Sequence, residues 1–167
     1  MSRFKILFVC TGNTCRSPLA EAIARKIAIE RGLPQVEVAS AGTSASGGAP
    51  ASDGSLLVGL ERHMDLGSHR SQRLTRELVE ESDLILAMAP QHLDRVESLG
   101  GEDKGYLLTS YPARGSSGRA VADPVGADLA VYRATADELE SEIRRVFDRL
   151  GSVGTRPADA PAPTDDR

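Results

Sequence analysis

"FKILFVCTGNTCRSPLAEAIARKIAIERG", residues 4–32, decides how this chain is read. Phe4 to Val9 form an apolar run broken only by Lys5, the pattern of a strand covered on both faces in a parallel sheet. Beyond Arg16, Ser17 can serve as a helix N-cap and Pro18 as the first helical residue. Leu19, Ile23 and Ile27 then recur at helical spacing until Gly32 and Pro34 end the run. The unit is strand, glycine-bearing loop, helix, and the rest of the chain repeats the alternation. "VEVASAG" (36–42) reads as a second strand, "SLLVGLERHM" (55–64) as a helix and "DLILAM" (83–88) as a third buried strand. "PQHLDRVESL" (90–99) reads as a helix opening on Pro90, and "YLLT" (106–109) as a fourth strand. From Asp128 a long amphipathic helix follows, with Leu129, Tyr132, Ala136, Leu139, Ile143, Val146 and Leu150 three or four apart. The expected fold class is α/β, a doubly wound sheet of four parallel strands flanked by helices.

Composition narrows the function. A chain of 167 residues, 40% hydrophobic and 26% charged, suits one domain with its own core, expected over residues 1–150. From Gly151 the composition shifts to Pro, Ala, Asp and Gly with no large apolar residue after Val153, so residues 151–167 are expected to be a disordered tail. A net charge of −4, no Trp and 4% aromatics argue against nucleic acid as a partner. The chain has no apolar stretch of the roughly eighteen residues that a membrane span needs. The opening "MSRFK" and the five apolar residues after it are too short for a signal peptide. A cytoplasmic protein with no membrane partner is expected. Cys10 and Cys15 are the only two cysteines, too few for a disulfide scaffold and wrongly spaced for zinc, with no His nearby. Both are expected as thiols.

In open parallel sheets, ligands bind beyond the carboxyl ends of strands, where the first loop of this chain lies. Gly12 permits tight curvature, the helix N-terminus favours negative charge, and Arg16 offers a bidentate guanidinium. "CTGNTCR" can therefore wrap a phosphate. The same features favour a thiolate at Cys10, which at the centre of a phosphate cradle can attack phosphorus. A lone Cys at a strand end is commonly a buried structural thiol, and Cys-x5-Arg alone is a weak pattern. Gly12, Asn13, Arg16, Ser17 and Pro18 together shift the balance. A thiolate nucleophile needs a proton donor for the leaving group. Asp123, in the "DPVG" of the long loop 109–127, is the candidate, although Asp-Pro on its own reads as a turn. No metal or other cofactor is implied, because Arg16 and the loop amides supply the positive charge.

These motifs resemble the low-molecular-weight protein tyrosine phosphatase family. "VCTGNTCRSPLAEA", "SAGT" (40–43), "HRSQRLT" (69–75), "DLILAM" and "DPVG" occur in the family's order over residues 4 to about 150. The resemblance implies catalytic roles for Cys10, which becomes phosphocysteine, for Arg16, which binds the phosphate, and for Asp123, which protonates the leaving group and then activates water. It implies that Ser17 hydrogen-bonds the Cys10 sulfur and that Asn13 holds the loop through Ser40, with His69 and Glu21 as a supporting pair behind Ser17. Cys15 matches the second cysteine that in many members forms a reversible disulfide with the nucleophile. His63 and His92 are read as residues of helix surfaces.

Substrate contacts are expected from Thr11, Gly12, Asn13, Thr14, Cys15, Ser17 and Val125. Tyrosine-specific members carry an apolar residue, often Ile, where this chain has Thr14, and aromatic residues around the pocket mouth, where it has Val125 and "TSASGGAPAS". "GNTCRS" instead resembles bacterial protein arginine phosphatases. A Thr hydroxyl can contact a guanidinium that an Ile methyl leaves unsatisfied. Phosphoarginine in a protein is the expected substrate, with phosphotyrosine the alternative. Val125 departs from the aromatic expected at the rim in arginine phosphatases as well. A thiol-cascade arsenate reductase would need cysteines beyond Cys15, which this chain lacks. A non-catalytic phosphate-binding module would have no need of both Cys10 and Asp123. A monomer is expected.

Overall fold

In a computed structural model, residues 3–111 and 119–151 are described. Four strands, β1 (Phe4–Cys10), β2 (Val36–Gly42), β3 (Leu84–Ala87) and β4 (Gly105–Leu107), form one sheet in the order β2-β1-β3-β4 with every neighbouring pair parallel. The helices are α1 (Arg16–Glu30), α2 (Asp53–Glu61), α3 (Arg76–Glu81), α4 (Pro90–Ser98) and α5 (Leu129–Leu150).

Alternation along β1 divides the core. Ile6, Phe8 and Cys10 face the layer of α1, α2 and α5, meeting Leu19, Ile23, Val58, Leu139 and Ile143. Leu7 and Val9 face the opposite layer with Val79 of α3 and Val96 of α4. Covering both faces requires apolar residues at successive positions, which is why β1 and β3 are apolar runs. The chain leaves β1 for β2 on one side and later β3 on the other, so the carboxyl end of β1 is the topological switch point.

Three local expectations are corrected. Ser17 does not cap α1: Cys15 is the N-cap without a side-chain hydrogen bond, and Ser17 sits in the first turn, fully buried with its hydroxyl on Cys10. Pro18 is then the third helical residue, still within the turn whose N–H groups have no intrahelical acceptor. The helix expected over 55–64 starts earlier and stops earlier, because Ser52 caps it through Ser55 N–H and the chain turns at His63, which has a φ of 63°. His63 is thus an exposed turn residue. The short α3, capped by the Thr75 hydroxyl, lies where no element was expected. The tail expected over 151–167 lies, Gly151 excepted, outside the described residues.

Candidate active site

The loop between β1 and α1 is held from behind through its carbonyls. Thr43 N–H donates to Cys10 O and Ser44 N–H to Thr11 O, both at 2.9 Å. Ser52 N–H donates to Thr14 O at 2.8 Å, and the Ser55 hydroxyl to Cys15 O at 3.1 Å. His69 Nε2–H donates to Asn13 O at 2.7 Å. In a trans peptide the N–H points opposite its carbonyl. The N–H groups of Thr11, Gly12, Thr14, Cys15 and Arg16 therefore turn toward the front of the loop, where they make an anion nest at the start of α1. Gly42 on β2 allows this approach: a Cβ there would stand 2.5 Å from Thr11 O and 2.9 Å from Asn13 N.

At the front lies a cleft of about 220 Å³ lined by Cys10, Thr11, Gly12, Thr14, Cys15, Arg16, Asp123 and Val125. Arg16 is buried, its Nη1–H donating to Val121 O at 2.9 Å and its Nη2 lying 3.5 Å from Asp123 Oδ2. Its Nε–H has no partner among the described residues, leaving a donor for an incoming acceptor. Asp123 is half-exposed and takes Val125 N–H on its other oxygen at 3.1 Å. Thr14 is half-buried, and Val125, 66% exposed, forms the rim.

Behind the loop, Asn13 sorts the hydrogen bonds. It adopts a left-handed conformation (φ 58°) that Asn tolerates better than most residues, and it is fully buried. Its Nδ2 donates to Ser17 Oγ at 2.8 Å and to Ser40 Oγ at 2.9 Å, while its Oδ1 accepts Gln72 N–H at 2.9 Å. Ser40 passes its own hydrogen to Glu21 Oε1 at 2.6 Å. With Ser17 Oγ already an acceptor, its hydrogen is free for Cys10 Sγ, 2.9 Å away, and Asn13 N–H also points at that sulfur at 3.3 Å. Two donors therefore converge on the one sulfur.

Of the residues expected to meet substrate, Thr11, Gly12, Thr14, Cys15 and Val125 line the cleft, whereas the side chains of Asn13 and Ser17 lie behind it. His69 and Glu21 do not form a pair on Ser17. They act through Asn13 O and Ser40 respectively. Cys15, a free thiol like Cys10, lies 3.4 Å from both the Ser52 and Tyr132 hydroxyls. The surface reading of His92 is overturned: it is fully buried, with Nε2 2.7 Å from Thr11 Oγ1. Burial chiefly, and then the Arg16 charge, push its pKa down to about 4, against a smaller opposing effect of Asp123. The available signal was positional, since a helix following β3, the neighbour of β1, opens at the same rim. A larger cleft of about 360 Å³, with Glu21, Ser40 and His69 in its lining, backs the loop and contains neither cysteine.

A thiol under two donors, an arginine and a carboxylate thus meet around a nest of amides in one cleft. The family model of the low molecular weight phosphotyrosine protein phosphatases matches residues 5–155, and the chain belongs to that family. It is 44% identical over 147 residues to the protein-arginine-phosphatase of Bacillus subtilis (strain 168), covering 87% of this chain and 95% of the relative. It is 37% identical over 136 residues to the low molecular weight protein-tyrosine-phosphatase PtpB of Staphylococcus haemolyticus, covering 81% and 91%. Among solved structures, a YwlE arginine phosphatase mutant with a phosphorylated active-site serine superposes with a TM-score of 0.82 at 42% identity, covering 88% and 95%.

Proposed function

We infer that this protein is a cysteine-dependent protein phosphatase that hydrolyses phosphoarginine through a phosphocysteine intermediate, with residues 1–150 as the phosphatase domain. The observation that carries the reading is the convergence of Cys10, Arg16 and Asp123 on one cleft whose wall includes Thr14. The relatives named arginine phosphatases support the substrate.

In the first step the Cys10 thiolate attacks phosphorus in line, and the P–N bond to the substrate guanidine breaks. Asp123 protonates the departing nitrogen, so arginine leaves as a guanidinium. Arg16 leaves its Asp123 contact for two phosphoryl oxygens, and the loop amides take the charge that spreads over the equatorial oxygens. In the second step Asp123, now a carboxylate, takes a proton from water as the water attacks phosphorus. The S–P bond breaks, releasing inorganic phosphate and restoring the thiolate hydrogen-bonded by Ser17. A specific observation keeps phosphotyrosine as a second reading: the apolar, exposed Val125 can lie against a phenol ring as well as against an arginine stem.

Acid quenching during turnover, followed by peptide mass spectrometry, is expected to find phosphate on Cys10. Cys10→Ser is expected to lower turnover at least about a thousandfold while retaining phosphate binding. Turnover unchanged by Cys10→Ser would remove the reading. No helix among the described residues is long and apolar enough to cross a membrane. With two free thiols, the reading carries a cytoplasmic location and a monomeric phosphatase, which fractionation and sedimentation test.

A further inference from the structure

His92 lies outside the chemistry assigned above, yet its side chain is fully buried beside the phosphate loop. It occupies the first turn of α4, directly beyond the carboxyl end of β3. One ring nitrogen, Nε2, is 2.7 Å from the Thr11 hydroxyl, and the other, Nδ1, is buried with no partner among the described residues. These two facts select the tautomer. Burying an unpaired N–H is costlier than burying an unpaired lone pair, so the hydrogen belongs on Nε2, and Nδ1 keeps the lone pair. Nε2–H then donates to Thr11 Oγ1. The Thr11 hydroxyl, its acceptor side engaged, must send its own hydrogen elsewhere, and Thr11 lines the cleft beside Cys10 and Arg16.

We propose that His92 is a positioning residue that fixes the rotamer of the Thr11 hydroxyl, so that Thr11 donates a hydrogen bond to a phosphoryl oxygen held in the cleft. Through this pair the rim of β3 contributes a side-chain donor to an anion otherwise bound by backbone amides and Arg16. A donor held in place needs no reorganisation when the substrate arrives. The proposal rests on the phosphatase reading above, but phosphate affinity tests it separately from turnover.

The experiment measures the inhibition constant of inorganic phosphate and kcat/KM on p-nitrophenyl phosphate for wild type, Thr11→Val, His92→Phe, His92→Gln and the Thr11→Val/His92→Phe double variant. Thr11→Val and His92→Phe are each expected to weaken phosphate about tenfold. The double variant is expected to be no worse than either single, because both remove one hydrogen bond. His92→Gln, which keeps an N–H donor, is expected to recover most of the loss, a rescue that a merely space-filling role would not produce. Unchanged phosphate affinity in Thr11→Val, losses that multiply in the double variant, or His92→Gln as weak as His92→Phe would each overturn the proposal. If His92→Phe does not fold, Thr11→Val and His92→Gln decide it. Absence of wild-type turnover would instead sink the phosphatase reading, while direct phosphate titration still reads the His92 effect.

Discussion

At Asn13 one side chain donates to the Ser17 and Ser40 hydroxyls and accepts the Gln72 amide, and the Ser17 hydroxyl it orients lies 2.9 Å from Cys10 Sγ. A Ser in its place could not donate to Ser17 and Ser40 while accepting from Gln72. His92 has a separate consequence for stability. Its folded pKa of about 4 lies below the 6.5 of an exposed imidazole, so between these values the unfolded chain holds a proton that the folded chain does not. Stability from this group is therefore complete above pH 6.5 and is lost as the pH falls toward 4. Arg16 on α1 opposes protonation and Asp123 on its loop favours it, the former more strongly. Comparing urea midpoints of wild type and His92→Gln between pH 7 and pH 4 should show wild type losing about 3 kcal/mol more over that range. Parallel pH profiles would contradict this assignment.

Among the elements, the segment carrying Asp123 is tied down at several points. Val121 N–H donates to Met88 O at 2.8 Å, Val121 O accepts from Arg16, and the Thr109 hydroxyl donates to Arg119 O at 2.5 Å. Arg119 itself bridges Glu138 and the buried Glu142 of α5. Arg119→Ala would strand the Glu142 carboxylate, so a stability loss of about 2 kcal/mol is expected, less than for a fully buried pair because Arg119 is half-exposed. Tm should fall, and kcat should fall, since the loosened segment carries Asp123, the proposed acid. An unchanged kcat would mean that the Arg119 bridge does not position Asp123. The legibility of elements followed their burial. β1 and α1 were readable because both faces of one and one face of the other are apolar. The six-residue α3 was missed because its Leu78 and Val79 are too few to show a period. His92 was misread because a single polar residue on a short amphipathic helix looks the same whether it faces solvent or a neighbouring loop.

On the scale of the whole molecule, a central β1 with neighbours on both sides brings four distant segments to one rim. These are the loop after β1, the stretch 69–72, the first turn of α4 and the segment 121–125. The loop from Cys10 to Ser17 is legible in the sequence because it is contiguous. Its supports are only partly legible, since nothing local in the chain tells that His69 will reach the Asn13 carbonyl or His92 the Thr11 hydroxyl. The proposed substrate rests on Thr14 in the wall of the cleft, where its hydroxyl can meet a polar guanidinium. The most direct measurement is kcat/KM on matched phosphoarginine and phosphotyrosine peptides, for wild type and Thr14→Ile. Preference for phosphoarginine by at least about tenfold in wild type, shifting toward phosphotyrosine in Thr14→Ile, is the expected result. A wild-type preference for phosphotyrosine that ignores residue 14 would contradict the account.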